Sequence, residues 1–324
     1  MPLTGLESKD LKMIIFGGKG GVGKTSCAVA CAIGLAEHFK TLVISTDPAH
    51  SVSDSLEQEI GFRLQPVHNV PNLTAIEISA DKAFKEFKKE HEAELIKLFD
   101  TSTNFDDEDI QQMMSLSIPG IDEVMSFKTI IDLIEEDNYE KYVVDTAPTG
   151  HALRLLSSPI LLDEWIKMAA KMRWKYRYMI ESFSGEYKDD EADVMLLNLK
   201  KTVKRIAALL SNSEKCEFIP VCIPEDMAIM ETDRLLKELR SFKITSRQLI
   251  LNNVMESDES GFCRQRKAAQ LKYVEKVHKL FKELQVVMVP QFPDEIKGVM
   301  ALRKLQQVLF GENIKRKTEI QHES

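Results

Sequence analysis

Ten consecutive residues, Phe16-Gly17-Gly18-Lys19-Gly20-Gly21-Val22-Gly23-Lys24-Thr25, restrict what this 324-residue chain can fold into more than any others. They contain Gly18-x-x-x-x-Gly23-Lys24-Thr25, the spacing of a phosphate-binding loop. The apolar run Met13-Ile14-Ile15-Phe16 before it reads as a buried strand, and the small-residue run from Ser26 to Ile33 after it reads as a helix. Glycine is needed in such a loop because successive backbone N–H groups must crowd around phosphate oxygens at a helix N-terminus. Gly18, Lys19, Gly20, Gly21, Val22, Gly23, Lys24, Thr25 and Ser26 are therefore the candidate nucleotide-binding residues. Lys24 is expected to reach the β- and γ-phosphates, and the Thr25 hydroxyl to ligate Mg²⁺.

Two further acids stand at the ends of apolar runs. Thr41-Leu42-Val43-Ile44-Ser45-Thr46-Asp47 is a strand that ends on Asp47, placed to orient or deprotonate an attacking water and to assist the metal. Tyr142-Val143-Val144-Asp145 is a second such strand, with Asp145 expected on Mg²⁺. Thr146-Ala147-Pro148-Thr149-Gly150 follows it with turn residues suited to a switch. His50 and His151 sit beside these acids and read as solvated or hydrogen-bonded loop histidines.

Composition narrows the class. With 44% apolar and 29% charged residues, the chain has the make-up of an ordinary globular protein. A net charge of −8 and the lack of a basic stripe argue against nucleic acid as a partner. Five cysteines without framework spacing suit a reducing cytoplasm, and no signal peptide or membrane-spanning run is evident, so the expected location is cytoplasmic or transiently peripheral to a membrane. Met1–Lys12 reads as a polar leader. Leu73–Ile78, Phe218–Ile223, Gln248–Asn252 and Val286–Val289 read as further strands, alternating with helices. That alternation predicts one α/β domain over 1–324, a mostly parallel sheet covered by helices on both faces. Two helical blocks, about 80–137 and 159–213, interrupt it and are expected to form one inserted helical subdomain.

The ordered set of motifs resembles the arsenite-pump-driving ATPase family. It comprises Gly18–Thr25, Asp47-Pro-Ala-His-Ser-Val-Ser-Asp54, Ser117-Ile-Pro-Gly-Ile-Asp-Glu123, Asp145-Thr-Ala-Pro-Thr-Gly-His151 and Pro290…Glu295-Ile-Lys-Gly298. The likeness runs from about Lys12 to Leu309 and is narrowest to the branch that delivers tail-anchored membrane proteins, in its archaeal form. It implies a P-loop ATPase acting as a homodimer, possibly assembled further, with ATP and Mg²⁺ as cofactors. It places Glu225, Asn252 and Pro290 at the nucleotide, Asn252 on the adenine edge. Lys19, the second lysine of the loop, marks the deviant loop of dimeric ATPases and is expected to stabilise the partner's phosphates in trans.

The resemblance also implies tail-anchored clients, a membrane receptor, and a groove in the helical blocks for a client's transmembrane helix. Nine of the fourteen methionines fall between Met113 and Met230, which suits a promiscuous apolar surface, although core packing explains them equally. The expected lining is Met113, Met114, Leu116, Leu161, Trp165, Met168, Met172 and Met195. Relatives hold zinc with a Cys-x-x-Cys pair from each subunit; here Ser260 precedes Cys263, and one thiolate per subunit does not complete a four-sulfur site. Two other readings stay open: an arsenite-pump ATPase, which wants three convergent thiolates, and a membrane-positioning ATPase anchored through the amphipathic Val299–Leu309.

Overall fold

The computed structural model describes residues 1–47, 51–94, 121–146, 167 and 191–311. The chain divides into two compact units. The first comprises Met1–Ile78, Ile134–Leu153 and Leu209–Ser324, and the second Ser79–Leu133 and Arg154–Ala208.

The first unit is built on eight strands: β1 Met13–Gly17, β2 Thr41–Ser45, β3 Gln65–Pro66, β4 Leu73–Glu77, β5 Lys141–Asp145, β6 Cys216–Cys222, β7 Gln248–Val254 and β8 Gln285–Pro290. They form one sheet in the order β3-β4-β2-β5-β1-β6-β7-β8. Every pairing is parallel except β3 against β4. β1, β2, β5 and β6 are buried along their whole length, as parallel strands covered on both faces must be. The short antiparallel β3 was not legible, because two residues carry no period.

The helices of this unit include α1 Lys24–Leu35 and α2 Ser51–Leu56. Later in the chain come α6 Asp226–Ser241, α7 Gly261–Leu280 and α8 Gly298–Phe310. The alanines and cysteines of α1 let it lie flat between the central strands and α8. At Gly34 any Cβ would strike the Phe310 ring, so α1 and α8 approach at van der Waals distance only through glycine. The second unit contains most of α4 Ile121–Glu135 and α5 Glu191–Ser211, together with α3 Ala80–Glu90, capped by the Ser79 hydroxyl accepting from the Lys82 N–H. Among the described residues, no helix is long and apolar enough to cross a membrane.

One expectation from the sequence is corrected here. Met1–Lys12 is polar by composition, yet Leu3, Leu6 and Leu11 are buried in the main core. Burying each leucine contributes roughly 2 kcal/mol. Hydrogen bonds fix the rest: Thr4 N–H donates to Gln248 Oε1 (2.7 Å), Gln285 donates to the Pro2 carbonyl, and Leu3 N–H donates to the Leu309 carbonyl (2.6 Å). Lys141, at the start of β5, closes the leader from below. Its buried ammonium donates to the carbonyls of Ser8 and Leu11, the latter at 2.6 Å.

Burial pushes the Lys141 ammonium down from 10.5 to about 8. A native pKa below the unfolded one means that the unfolded chain binds the extra proton between these values. This contribution to stability is therefore present above 10.5 and is lost as pH falls through about 8. Urea unfolding of the wild type and Lys141→Met at about pH 7.5 and about pH 10 tests this: the wild type gains on the variant as pH rises. A pH-independent gap between the two would show that the ammonium is not desolvated.

Candidate active site

The site is assembled at the carboxyl ends of β1, β2 and β5, where the chain order changes direction in the sheet and a crevice opens. β1 ends at Gly17, the loop crosses the sheet edge, and α1 begins at Lys24. Two glycines are fixed by geometry. A Cβ at Gly18 would overlap the Val221 carbonyl, and Gly23, at φ +87°, would place one against the Asn252 amide. Asn252, buried on β7, donates from Nδ2 to the Val22 carbonyl (2.9 Å) and so braces the loop from two strands away. Its Oδ1 is buried without a partner.

At the start of α1 the Thr25 hydroxyl donates to Asp145 Oδ2 (2.7 Å). The Ser51 hydroxyl, at the start of α2, donates to the same oxygen at 3.3 Å. Asp145 is fully buried and its Oδ1 has no partner. Burial pushes its carboxyl up to about 7, overcoming the opposing effects of Thr25, Lys24 and Ser51. Lys24 is buried too, and its Nζ donates to the Lys19 carbonyl (3.3 Å). Burial lowers its pKa, while Asp145 and Asp47 act to raise it. A buried acid short of positive charge beside a buried base short of negative charge is the signature of a site made for a cation and an anion together. Mg²⁺ and a nucleotide phosphate fit that charge pattern, and the loop N–H groups suit the anion.

Asp47 lies two residues beyond β2, its N–H donating to Ser45 Oγ (3.1 Å). Lys19 Nζ lies 3.8 Å from Glu231 of α6, a pairing within this chain that residue patterns did not reveal. Glu225 is the N-cap of α6 with extended backbone, and its side chain makes no capping bond. Pro290 closes β8. Several expected residues lie outside the described ones: Pro48 to His50, the switch residues 147–151, and Met113, Met114, Leu116, Leu161, Trp165, Met168 and Met172 of the groove. The described groove residue, Met195, is buried, whereas Val194 and Leu197 of the same helix are exposed.

A two-cysteine contribution to a zinc site does not fit the residues present: at the position where the resemblance expects a first cysteine, the Ser260 hydroxyl caps α7 by accepting from the Cys263 N–H (3.1 Å). Cys263 is the one partly exposed thiol; Cys27, Cys31, Cys216 and Cys222 are buried. Burial pushes Cys27 and Cys216 up to about 12 and Cys222 to about 11, and raises Cys31 further, which makes them inert core residues. Among the described residues no cluster of three or more His, Cys, Asp or Glu is arranged to hold a metal ion.

A glycine loop between a central strand and a buried helix, facing a strand-end aspartate across a parallel sheet, defines a P-loop nucleotide-binding protein. The model of the anion-transporting ATPases matches residues 11–311, and the chain belongs to that family. Similar proteins include the ATPase ASNA1 homologs 1 and 2 of Paramecium tetraurelia. Each is 33% identical over 318 residues, spanning 94% of this chain and 94% and 95% of theirs. The ATPase get3 of Pyrenophora tritici-repentis is 32% identical over 319 residues, 94% of this chain and 92% of its own.

Two outcomes test the site. Gly23→Ala combines a strained positive φ with overlap on Asn252 and should abolish binding of a fluorescent ADP analogue. Asn252→Ala alone measures the cost of losing its bond to the Val22 carbonyl; against that reference, Gly23→Ala/Asn252→Ala should lose less affinity than the two single effects multiplied, and a strictly multiplicative loss would mean that backbone strain and not overlap is the effect. Ser260→Cys should raise zinc content by elemental analysis and, stripped of metal, lower stability by about 1 kcal/mol for the lost cap.

Proposed function

We propose that this chain is the protomer of a homodimeric, Mg²⁺-dependent ATPase that binds the transmembrane helix of tail-anchored proteins and delivers them to a membrane. The chemistry rests on one observation, the meeting of Thr25, Ser51 and Lys24 around the under-compensated carboxylate of Asp145. Lys24 and the loop N–H groups would bind the phosphates, and Thr25 and Asp145, with Asp47 nearby, would hold Mg²⁺, which would supply charge neutralisation at the phosphate oxygens. Asp47, steered by its N–H bond to Ser45, orients the attacking water and accepts its proton. Glu225, Asn252 and Pro290 border the base. Lys19 transfers from Glu231 to the partner's phosphates; a half-exposed pair at 3.8 Å is weak enough to exchange.

Tail-anchored targeting is supported by the motif set and by similarity along nearly the whole chain to the ATPases named ASNA1 and get3. In this reading the helical blocks 80–137 and 159–213 form the insert that carries the groove. A membrane receptor accepts the client, and the protein works in the cytoplasm. The relatives above are from a ciliate and a fungus, so the archaeal form rests on the motif resemblance alone. The family's description as anion-transporting favours a second reading, an arsenite-pump ATPase. Four deeply buried thiols weigh against it, since a soft anion needs convergent thiolates.

Asp47→Asn should keep nucleotide affinity and lose turnover by roughly 10²–10⁴-fold; wild-type turnover would remove Asp47 from the chemistry. A client helix has about 20 apolar residues, too many for one small helical unit, so a cross-linked dimer should keep a tail-anchored protein soluble where a forced monomer does not. Turnover stimulated by arsenite, with no client capture, would favour the pump instead.

A further inference from the structure

A buried acid that stands outside every motif, Glu77, accepts a hydrogen bond from the first turn of α2. Three strand ends lie level across the sheet: Ser45 of β2 is in register with Glu77 of β4 on one side and with Asp145 of β5 on the other. In-register residues of parallel neighbours share a face, so two buried carboxylates flank the end of β2 on the same side, about 10 Å apart. Both reach α2. Asp145 Oδ2 accepts from the Ser51 hydroxyl at 3.3 Å, and Glu77 Oε1 accepts from the Ser53 N–H at 2.9 Å. Ser53 in turn accepts at its hydroxyl from the Ile60 N–H (3.2 Å), and the Glu77 N–H donates to the Gly61 carbonyl (2.9 Å). The turn that ends α2 is thereby tied to the same strand end.

Asp47 leaves β2 from between these carboxylates, and the chain must return to Ser51 within four residues. The Asp47 N–H bonds to Ser45 Oγ, and α2 starts at Ser51. Six residues make α2 too short to hold its place by helix propensity, so its position depends on what its first turn binds. We infer that Glu77 is a positioning residue for hydrolysis: by holding the Ser53 N–H, its side chain fixes α2 and, through it, the Ser51 hydroxyl on Asp145. Its action is one of reach, because a carboxylate one methylene shorter withdraws the acceptor by about 1.5 Å, whereas an amide of equal length keeps an acceptor oxygen in place.

The inference rests on the ATPase reading, and the experiment separates the two. Steady-state ATPase activity is measured at saturating Mg²⁺ for the full-length wild type, Glu77→Asp, Glu77→Gln and Glu77→Ala, together with affinity for a fluorescent ADP analogue. If the wild type does not hydrolyse ATP, the ATPase reading itself falls. If it does, Glu77→Asp should lose about tenfold or more in kcat, with KM and ADP affinity within about twofold, because the phosphate loop is unaltered. Glu77→Gln should restore kcat to within about threefold of the wild type. Combining Glu77→Asp with Ser51→Ala should cost less than the product of the single effects, as expected of two bonds that secure one helix. The reverse order, Asp active and Gln inactive, would mean that charge and not reach matters, and would overturn the inference. So would equal losses in kcat and ADP affinity, or wild-type kcat in Glu77→Asp. Glu77→Ala adds an expected loss as large as that of Asp; should it fail to fold, the Asp and Gln pair decides.

Discussion

A carboxylate buried at the end of a central strand has to find compensating charge, and much of this structure follows from how Asp145 finds it. Two hydroxyls converge on one of its oxygens while the other has no partner, and burial still pushes its carboxyl up to about 7. Thr25 reaches it because α1 starts where the glycine loop ends, and Ser51 reaches it from the start of α2, which packs on α1. Lys24 is buried close by with its own pKa lowered. This arrangement of a buried acid and a buried base suits a site that takes a cation and a phosphate together.

The scaffold keeps that arrangement rigid. Parallel strands buried on both faces leave no freedom of register, and α1 contributes small side chains so that it can pack closely on the sheet and on α8. Asn252 links the loop to β7, so a strand on the far side of β6 also fixes the phosphate cradle. Four of the five cysteines belong to this packing and not to chemistry, since a thiol pushed up to about 11 or beyond is protonated at any physiological pH. At α7 a serine cap replaces a sulfur ligand, which gives the helix a start that needs no metal.

The sequence by itself determined the parallel α/β sheet, the phosphate loop and the two strand-end aspartates. These depend on local patterns: continuous apolar runs for strands covered on both faces, and glycines at fixed spacing where backbone must approach phosphate. Tertiary structure alone decided which strand ends lie level, and hence that Glu77 and Ser51 join the site. Glu77 did not stand out inside the strand pattern Leu73–Ile78, because its partner is a backbone N–H on another element, which no side-chain pattern encodes. The pairing of Lys19 with Glu231 and the anchoring of Met1–Lys12 by Gln248 and Gln285 were equally hidden, because each joins residues more than 200 positions apart. Periodicity reports which face of an element is buried; only the folded chain determines what that face meets.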